Sequence, residues 1–235
     1  MCKKSLAVDA VFCISLVDRQ DRRNLLLQEF YKCFENKVEF ILVDKDIENP
    51  ERGCYNSHKK CAQLILDRGY KRALILEDDA TFTSIKMQQL KDINHFITKK
   101  NPDIFFLGGI VCKLWLTWKR SIALCDLVCA HAYILSSDAS MKFVELDYMG
   151  EALDHFYGKL FPYKYCCIPL ISDQQPDSIV GSDIEKFRGD SKSVSVLKTK
   201  EFWEKNSLEQ YRQIKKNRNI RQWIWWYFIN LRNKE

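Results

Sequence analysis

With 235 residues, of which 46% are hydrophobic and 29% charged, the chain has the composition of a globular protein that can bury a substantial core. Its net charge of +6 is moderate, and many of the basic residues lie near the C-terminus. This distribution favours an anionic ligand or a membrane surface there and argues against general nucleic-acid binding. No uninterrupted apolar run reaches the length of a transmembrane helix.

Ten cysteines are scattered along the chain without a single C-x-x-C pair. Several lie inside apolar runs, where a cysteine behaves as a small hydrophobic residue, and this pattern argues against a zinc site. No signal-peptide pattern is recognised either, so the cysteine usage predicts a reducing, cytoplasmic setting.

The first predicted unit is a strand followed by a helix. Residues 10–16 form an apolar run typical of a buried strand, and a helical pattern over residues 25–34 follows a charged turn with Asp18, Arg19 and Arg22. Basic side chains and backbone N–H groups at such a turn can bind a diphosphate. The alternative interpretation is a turn that is charged only because it is solvated.

The second predicted strand, residues 38–44, ends in an acid, Asp44. This carboxylate could accept a hydrogen bond from a ribose hydroxyl or a base edge, or it could simply terminate the strand. Residues 49–53 contain proline and glycine and are predicted to form a loop, after which a helix continues to about residue 66.

The third predicted strand is the one around which the rest is organised. The apolar residues 73–76 are typical of a strand buried on both faces, and they are followed directly by Glu77, Asp78 and Asp79. Ligands of open α/β sheets bind beyond the carboxyl ends of the strands, and carboxylate oxygens suit Mg²⁺ or Mn²⁺. We therefore predict a metal site here, with a loop whose acids cap the next helix as the alternative.

The alternation of strands and helices predicts an α/β fold with a mostly parallel, Rossmann-like sheet flanked by helices. Residues 104–109, 129–135 and 164–171 add further predicted strands, and the tryptophan-rich residues 114–120 are interpreted as a flap or strand over the site. His131 lies in one of these strands and is either a core histidine or a contact to the metal or donor.

The C-terminal part has a different composition. Basic residues precede a dense cluster of tryptophan, tyrosine and phenylalanine, which predicts either a peripheral anchor on the cytoplasmic face of an anionic membrane through residues 215–232, or a helix packed onto the main domain by its aromatic face. The predicted division is a catalytic domain over residues 1–190 and a linker with a basic, aromatic helical tail over residues 191–235.

Five segments, taken in order, resemble motifs of one known family. They are I-S-L-V-D-R-Q-D-R-R at residues 14–23, G-C-Y-N-S-H at 53–58, L-I-L-E-D-D at 74–79, H-A-Y-I-L-S at 131–136 and D-H-F at 154–156. In this order and spacing they resemble glycosyltransferase family 25, which includes bacterial lipopolysaccharide glycosyltransferases and collagen galactosyltransferases.

The resemblance implies a single GT-A-type domain, a nucleotide-sugar donor such as a UDP-sugar, and Mn²⁺ or Mg²⁺. Asp79 would then ligate the metal directly, and Glu77 would contact the ribose or a metal-bound water, with Asp78 beside them. Donor binding would be completed by the pocket at Arg19 and Arg22 and by the loop at Ser57 and His58.

The resemblance also implies an inverting reaction, which needs a base for the acceptor hydroxyl. Asp154 is the first candidate for this base and His155 the second. The predicted function is transfer of a hexose, galactose or glucose, to a glycan, a glycolipid or a hydroxylated protein side chain. The alternatives are a catalytically silent, membrane-associated scaffold with the same fold, and a nucleotidyl or phosphoryl transferase, which the absence of a G-x-x-x-x-G-K-[ST] loop disfavours.

Overall fold

The computed structural model describes residues 4–117, 119, 121–176 and 199–232, with side chains described as far as residue 218 in the last helix. The described part contains one large sheet, one small sheet and six helices. The strands are β1 (Ala10–Leu16), β2 (Val38–Val43), β3 (Arg72–Glu77), β4 (Ala80–Phe82), β5 (Ile104–Phe106), β6 (Ile110–Leu116), β7 (Ile122–Val128), β8 (Ala132–Ser136), β9 (Lys164–Cys167) and β10 (Ser172–Gln174). The helices are α1 (Gln20–Tyr31), α2 (Pro50–Asp67), α3 (Met87–Lys100), α4 (Ser137–Val144), α5 (Leu153–Leu160) and α6 (Lys200–Arg232).

The large sheet has eight strands in the order β2-β1-β3-β8-β5-β9-β7-β6. The neighbouring strands β2, β1 and β3 are parallel, and only β8 and β7 run against the common direction of the sheet. Helices α1 and α2 connect the three parallel strands, as the apolar runs and their spacing predict. The α/β fold with a mostly parallel sheet flanked by helices is therefore confirmed.

The small sheet lies directly beyond the acidic end of β3. Strand β4 begins one turn after Glu77 and pairs in antiparallel fashion with β10, so that Gln174 lies opposite Ala80. This pairing brings residues that are almost 100 positions apart in the chain to the same end of the large sheet.

Some predicted boundaries were wrong for identifiable reasons. Helix α2 begins at Pro50 and includes most of the predicted loop, because the Asn49 side chain caps the helix by accepting a hydrogen bond from the Arg52 N–H (3.0 Å). Cys129 has a left-handed backbone (φ 71°), and the predicted strand begins only at Ala132. The predicted strand over residues 164–171 ends at Cys167.

The predicted placement of residues 114–120 over the site is wrong. Residues 114–116 form the end of β6, the edge strand at the side of the sheet opposite to β2, and no described residue of β6 lines the site. Trp115 is 48% exposed on this edge strand, and Trp118 lies outside the described residues.

Helix α6 covers that edge with a row of amide side chains. Asn206 accepts from Val111 N and donates to Gly109 O (both 2.9 Å), Gln213 accepts from Leu114 N (2.8 Å), and further bonds are made by Gln213 and Asn217. These amides take the place of a neighbouring strand and satisfy backbone groups that an edge strand otherwise exposes.

Aromatic packing fixes the beginning of the same helix. Trp203 is 5% exposed and lies edge-on against the fully buried His131, with 5.8 Å between ring centroids. His131 thus occupies a core position, and the described beginning of the tail packs onto the domain. Residues 177–198, which contain the predicted linker, lie outside the described residues, and the proposed domain boundary stays a prediction. In the described part of the chain, no helix has both the length and the apolar character needed to cross a membrane.

Candidate active site

A cleft opens at the carboxyl ends of β1, β2 and β3. The first turns of α2 and α5, residues 129–130 and Gln174 complete its walls. Nine of the eleven side chains predicted from the sequence line this cleft: Arg19, Arg22, Asp44, Ser57, His58, Glu77, Asp78, Asp79 and Asp154. Asp18 and His155 do not line it and are exposed.

The three consecutive acids have different surroundings. Asp78 is 6% exposed and accepts a hydrogen bond from Arg22 Nη1 (2.9 Å), whereas the same nitrogen is 4.0 Å from Asp79 Oδ2. A buried carboxylate is stable only when it is paired, so Arg22 and Asp78 hold each other in place. Glu77 and Asp79 are more accessible and face the cleft.

Gln174 joins the two accessible acids and was missed in the sequence analysis. Its Nε2 donates to Glu77 Oε2 and to Asp79 Oδ1, each at 3.1 Å, and the backbone N–H of Gln175 donates to the Asp79 carbonyl (2.7 Å). The two carboxylates therefore converge on one point, where an amide N–H group lies between them. Because the contact spans the β4–β10 pairing, no local sequence pattern could have indicated it.

The two converging carboxylates, Glu77 and Asp79, can be compared with what a divalent cation needs. Glu77 and Asp79 offer oxygen atoms at one location, and Mg²⁺ or Mn²⁺ is typically held by one or two carboxylates together with substrate phosphates. The donor atoms present are therefore of the right type and number for such an ion.

His58 is held at the bottom of the cleft by two partners. Its Nδ1 lies 2.7 Å from the Tyr133 hydroxyl and its Nε2 lies 3.4 Å from Glu77 Oε1. Tyr133 in turn contacts the Tyr157 hydroxyl (2.8 Å), and burial raises the pKa of both phenols well above the ordinary value, so both remain neutral. The imidazole orientation is thus fixed from the core side.

The opening turn of α2 is tied to the loop after β2. Arg52 donates to both carboxylate oxygens of Asp46 (2.6 and 2.9 Å), and Ser57 Oγ donates to the carbonyl of Gly53 (2.7 Å). A Cβ atom on Gly53 would lie 2.8 Å from Asp46 Cβ, so a larger residue would push this loop away. The loop and helix therefore form one rigid wall of the cleft.

The charged turn after β1 is only partly directed at the cleft. Arg19 binds both oxygens of Asp21 (3.0 and 3.1 Å), which raises the pKa of Arg19 and lowers that of Asp21 to about 2. Arg23 is 7% exposed and donates to the carbonyls of Leu16 (2.6 Å) and Val17 (3.0 Å). Arg19 and Arg22 line the cleft, whereas Arg23 shapes the turn itself.

Asp154 lies across the cleft from this turn, in the first turn of α5. Its Oδ2 accepts from the backbone N–H of Cys129 and its Oδ1 from that of His155 (3.0 and 2.9 Å). The carboxylate is therefore oriented by the backbone, and each oxygen keeps a second lone pair for another partner.

The charges around the cleft are unequal. Seven carboxylates line it but only three cationic side chains, namely Asp44, Asp46, Glu51, Glu77, Asp78, Asp79 and Asp154 against Arg19, Arg22 and Lys45. Two of these acids, Asp46 and Asp78, are bonded to arginines. The remaining acids give the cleft an excess of negative charge.

Comparison with known sequences finds similarity over part of the chain. The chain is similar to glycosyltransferases, and the model of glycosyltransferase family 25, described as an LPS biosynthesis protein, matches residues 34–112. The chain is also 26% identical over 134 residues to procollagen galactosyltransferase 1-B of Xenopus laevis, a match that covers 44% of this chain and 21% of that relative. Both matches are similarities over part of the chain, and the matched segment spans about a fifth of this relative's length.

Solved structures give weaker similarities. UDP-glucose pyrophosphorylase complexed with UDP-glucose has a TM-score of 0.42 at 13% identity, covering 78% of this chain and 81% of that one. Protein A197 from STIV scores 0.41 at 9% identity, covering 67% and 80%. A glycosyltransferase involved in glycosylation of the major capsid of PBCV-1 scores 0.33 at 10% identity, covering 57% and 63%. These identities are too low to transfer any site residue to this chain.

Proposed function

We propose that the chain is a metal-dependent glycosyltransferase that moves a hexose, galactose or glucose, from a UDP-sugar to a hydroxyl of a glycan, glycolipid or hydroxylated protein side chain. The observation that carries this proposal is the meeting of nine sequence-predicted side chains in one cleft at the carboxyl ends of three parallel strands. The similarity to glycosyltransferase family 25 supports the reaction class.

The charge of the cleft supports dependence on a metal. A nucleoside diphosphate is an anion, and a cleft lined by seven carboxylates and three cationic side chains repels it. Asp79 and Glu77 would hold a divalent cation, and Mn²⁺ or Mg²⁺ there would supply the positive charge that neutralises the diphosphate leaving group. Arg19 and Arg22, which also line the cleft, would add further positive charge for the diphosphate.

The remaining residues have separate roles in the proposed reaction. Asp44, at the end of β2, would accept from the ribose or the base, and Ser57 and His58 would border the donor. Asp154 would take the proton from the acceptor hydroxyl. The oxygen of that hydroxyl would bond to the anomeric carbon of the sugar as the bond from that carbon to the diphosphate breaks, and the configuration at the carbon would be inverted. The backbone hydrogen bonds to both Asp154 oxygens hold it in a fixed orientation for this step.

A comparison of two adjacent variants tests the proposed base. With UDP-galactose or UDP-glucose, Mn²⁺ and a panel of sugar, glycolipid and hydroxylysine-peptide acceptors, Asp154→Asn should lower acceptor-dependent UDP release by about 100-fold or more. His155→Asn is the matched control, because His155 is exposed and does not line the cleft, and it should retain the wild-type rate. Loss of activity in His155→Asn with retention in Asp154→Asn would reverse the assignment.

Location and membrane contact belong to the same proposal. The cysteines that the structure describes form no disulfide bonds with one another. We propose a cytoplasmic enzyme whose residues 215–232 contact anionic lipid, while the earlier part of α6 stays packed on β6.

A further inference from the structure

A second group of ligand atoms lies beside the proposed Mn²⁺ location. Cys54, His58 and Glu77 each contribute one potential metal-ligand atom, and these atoms lie within 4.8 Å of one another. Cys54 and His58 are one helical turn apart on α2, and Glu77 ends the adjacent strand β3. Cysteine spacing and the location of cysteines in apolar runs predicted no zinc site, but neither feature can indicate a site that two separate elements form together.

The distance between His58 Nε2 and Glu77 Oε1 suits two ligands of a tetrahedral metal ion. Bonds of about 2.0–2.1 Å from zinc to nitrogen and oxygen place two tetrahedral ligands about 3.3 Å apart. His58 Nε2 and Glu77 Oε1 are separated by 3.4 Å. A zinc–sulfur bond of about 2.3 Å requires Sγ about 3.6 Å from the other two atoms. Cys54 Sγ lies within 4.8 Å of both, so a side-chain shift on the order of 1 Å brings it to this distance.

The surroundings of His58 also fit a metal ligand. In the tautomer whose Nδ1–H donates to Tyr133, the Nε2 lone pair faces Glu77 and Cys54. Ligand histidines commonly donate their second nitrogen to such an oriented partner, and here Tyr133 is itself held by Tyr157. Cys54 and Glu77 both line the cleft, so a fourth ligand can come from solvent or substrate.

We propose that Cys54, His58 and Glu77 form a site for a thiophilic divalent cation of the zinc class. A thiolate and an imidazole select zinc-class ions, whereas the carboxylate oxygens of Glu77 and Asp79 select Mn²⁺ or Mg²⁺. Glu77 belongs to both locations through different oxygens, since Oε1 faces His58 and Oε2 accepts from Gln174. This site goes beyond the proposed transferase activity and does not depend on it.

Cobalt is the probe for the experiment, because Co²⁺ replaces Zn²⁺ and a cobalt–thiolate bond gives an absorption band in the near ultraviolet. The reduced 235-residue protein should develop this band, reach saturation at one Co²⁺ per chain, and lose the band when Zn²⁺ is added. Cys54→Ser should eliminate the band and His58→Gln should weaken Co²⁺ binding by about 10-fold or more. Cys112→Ser is the matched control, since this cysteine is exposed and lies outside the cluster, and its band should equal that of wild type.

Two results would overturn the proposal: no band in the wild-type protein, or a band that persists in Cys54→Ser. Asp79→Asn separates this proposal from the proposed function, because Asp79 is outside the cluster. That variant should keep the cobalt band even if Mn²⁺-supported UDP binding is lost, and loss of its band would show that the two locations are one site. Near-ultraviolet circular dichroism of each variant verifies that it is folded.

Discussion

Polar side chains gather at two places on the large sheet, the cleft beyond β1–β3 and the opposite edge at β6, and they differ in chemistry. At the edge, neutral amides of α6 bond to backbone groups of β6, as Asn206 does with Val111 and Gly109. In the cleft the groups are charged, and Glu77 and Asp79 converge on one amide N–H group. The edge amides are fully used in holding the fold together, whereas the cleft keeps accessible acids that a cation can bind.

The largest expected effect on stability is at the edge. Asn206→Leu leaves the buried N–H of Val111 and carbonyl of Gly109 without their amide partner and should lower the free energy of unfolding by about 3 kcal/mol. Urea denaturation measures this loss. Lys205→Leu, at the exposed neighbouring position, should change it by less than about 0.5 kcal/mol. Equal effects of the two variants would mean that the amides do not stabilise the edge.

A smaller effect is expected beside the cleft, and it depends on pH. Burial raises the pKa of Asp173, in β10, from 3.8 to about 6. Because the folded-state pKa is above the unfolded-state value, this residue favours the folded state at low pH, and that contribution is lost as the pH rises from about 4 through 6.

Replacing this residue should therefore stabilise the protein at neutral pH. Asp173→Asn should raise the free energy of unfolding at pH 7 by about 1–2 kcal/mol, with allowance for the partial exposure of Asp173, and should flatten the decline between about pH 4 and 6. Urea denaturation across this pH range measures both. If the free energy of unfolding changed with pH in the same way in Asp173→Asn and in the wild type, ionisation of Asp173 would not be the cause of the decline.

The smallest effect on stability is expected from the end of α6. The end of α6 is proposed to contact lipid and not to pack on the domain, so removing residues 219–235 should change the free energy of unfolding by about 0.5 kcal/mol or less. The same truncation should abolish flotation with phosphatidylserine-containing vesicles, with phosphatidylcholine vesicles as the neutral control. Unchanged flotation would contradict the membrane contact.

Some of the residues of the cleft could be predicted from the sequence and others could not. The runs before Glu77 and Asp44 are strands with acids at their carboxyl ends, and both acids line the cleft as expected. The apolar run before Glu77 correctly predicts a strand buried on both faces. The run before Asp44 is equally apolar but forms the edge strand β2, in which Leu42 is exposed, so composition indicated that strand but not its place in the sheet. Gln174 and Tyr133 could not be predicted as partners of Glu77 and His58, because strand pairing across long separations brings them together.

The contacts between α6 and β6 could have been predicted from the spacing of amide residues in α6. Asn206, Gln210, Gln213 and Asn217 recur at the spacing of one helical face, and three of them bond to β6. An amide stripe in a helix that carries many charged residues indicates a specific backbone partner. The aromatic cluster further along α6 left membrane contact and packing onto the main domain as open alternatives, and neither of them used these amides.

The measurement that tests the central claim most directly is thermal stability with UDP, UDP-galactose and UDP-glucose, in Mn²⁺ or in EDTA, for the wild type and Asp79→Asn. At a hundred times its Kd, a ligand should stabilise the wild type by about 2.7 kcal/mol, and only when Mn²⁺ is present. Asp79→Asn should melt close to the wild-type temperature without ligand and should show no Mn²⁺-dependent shift. No shift of the wild type with any nucleotide would contradict a metal-dependent nucleotide-sugar site and would favour a catalytically silent scaffold. An equal shift in the variant would contradict the assignment of that site to Asp79.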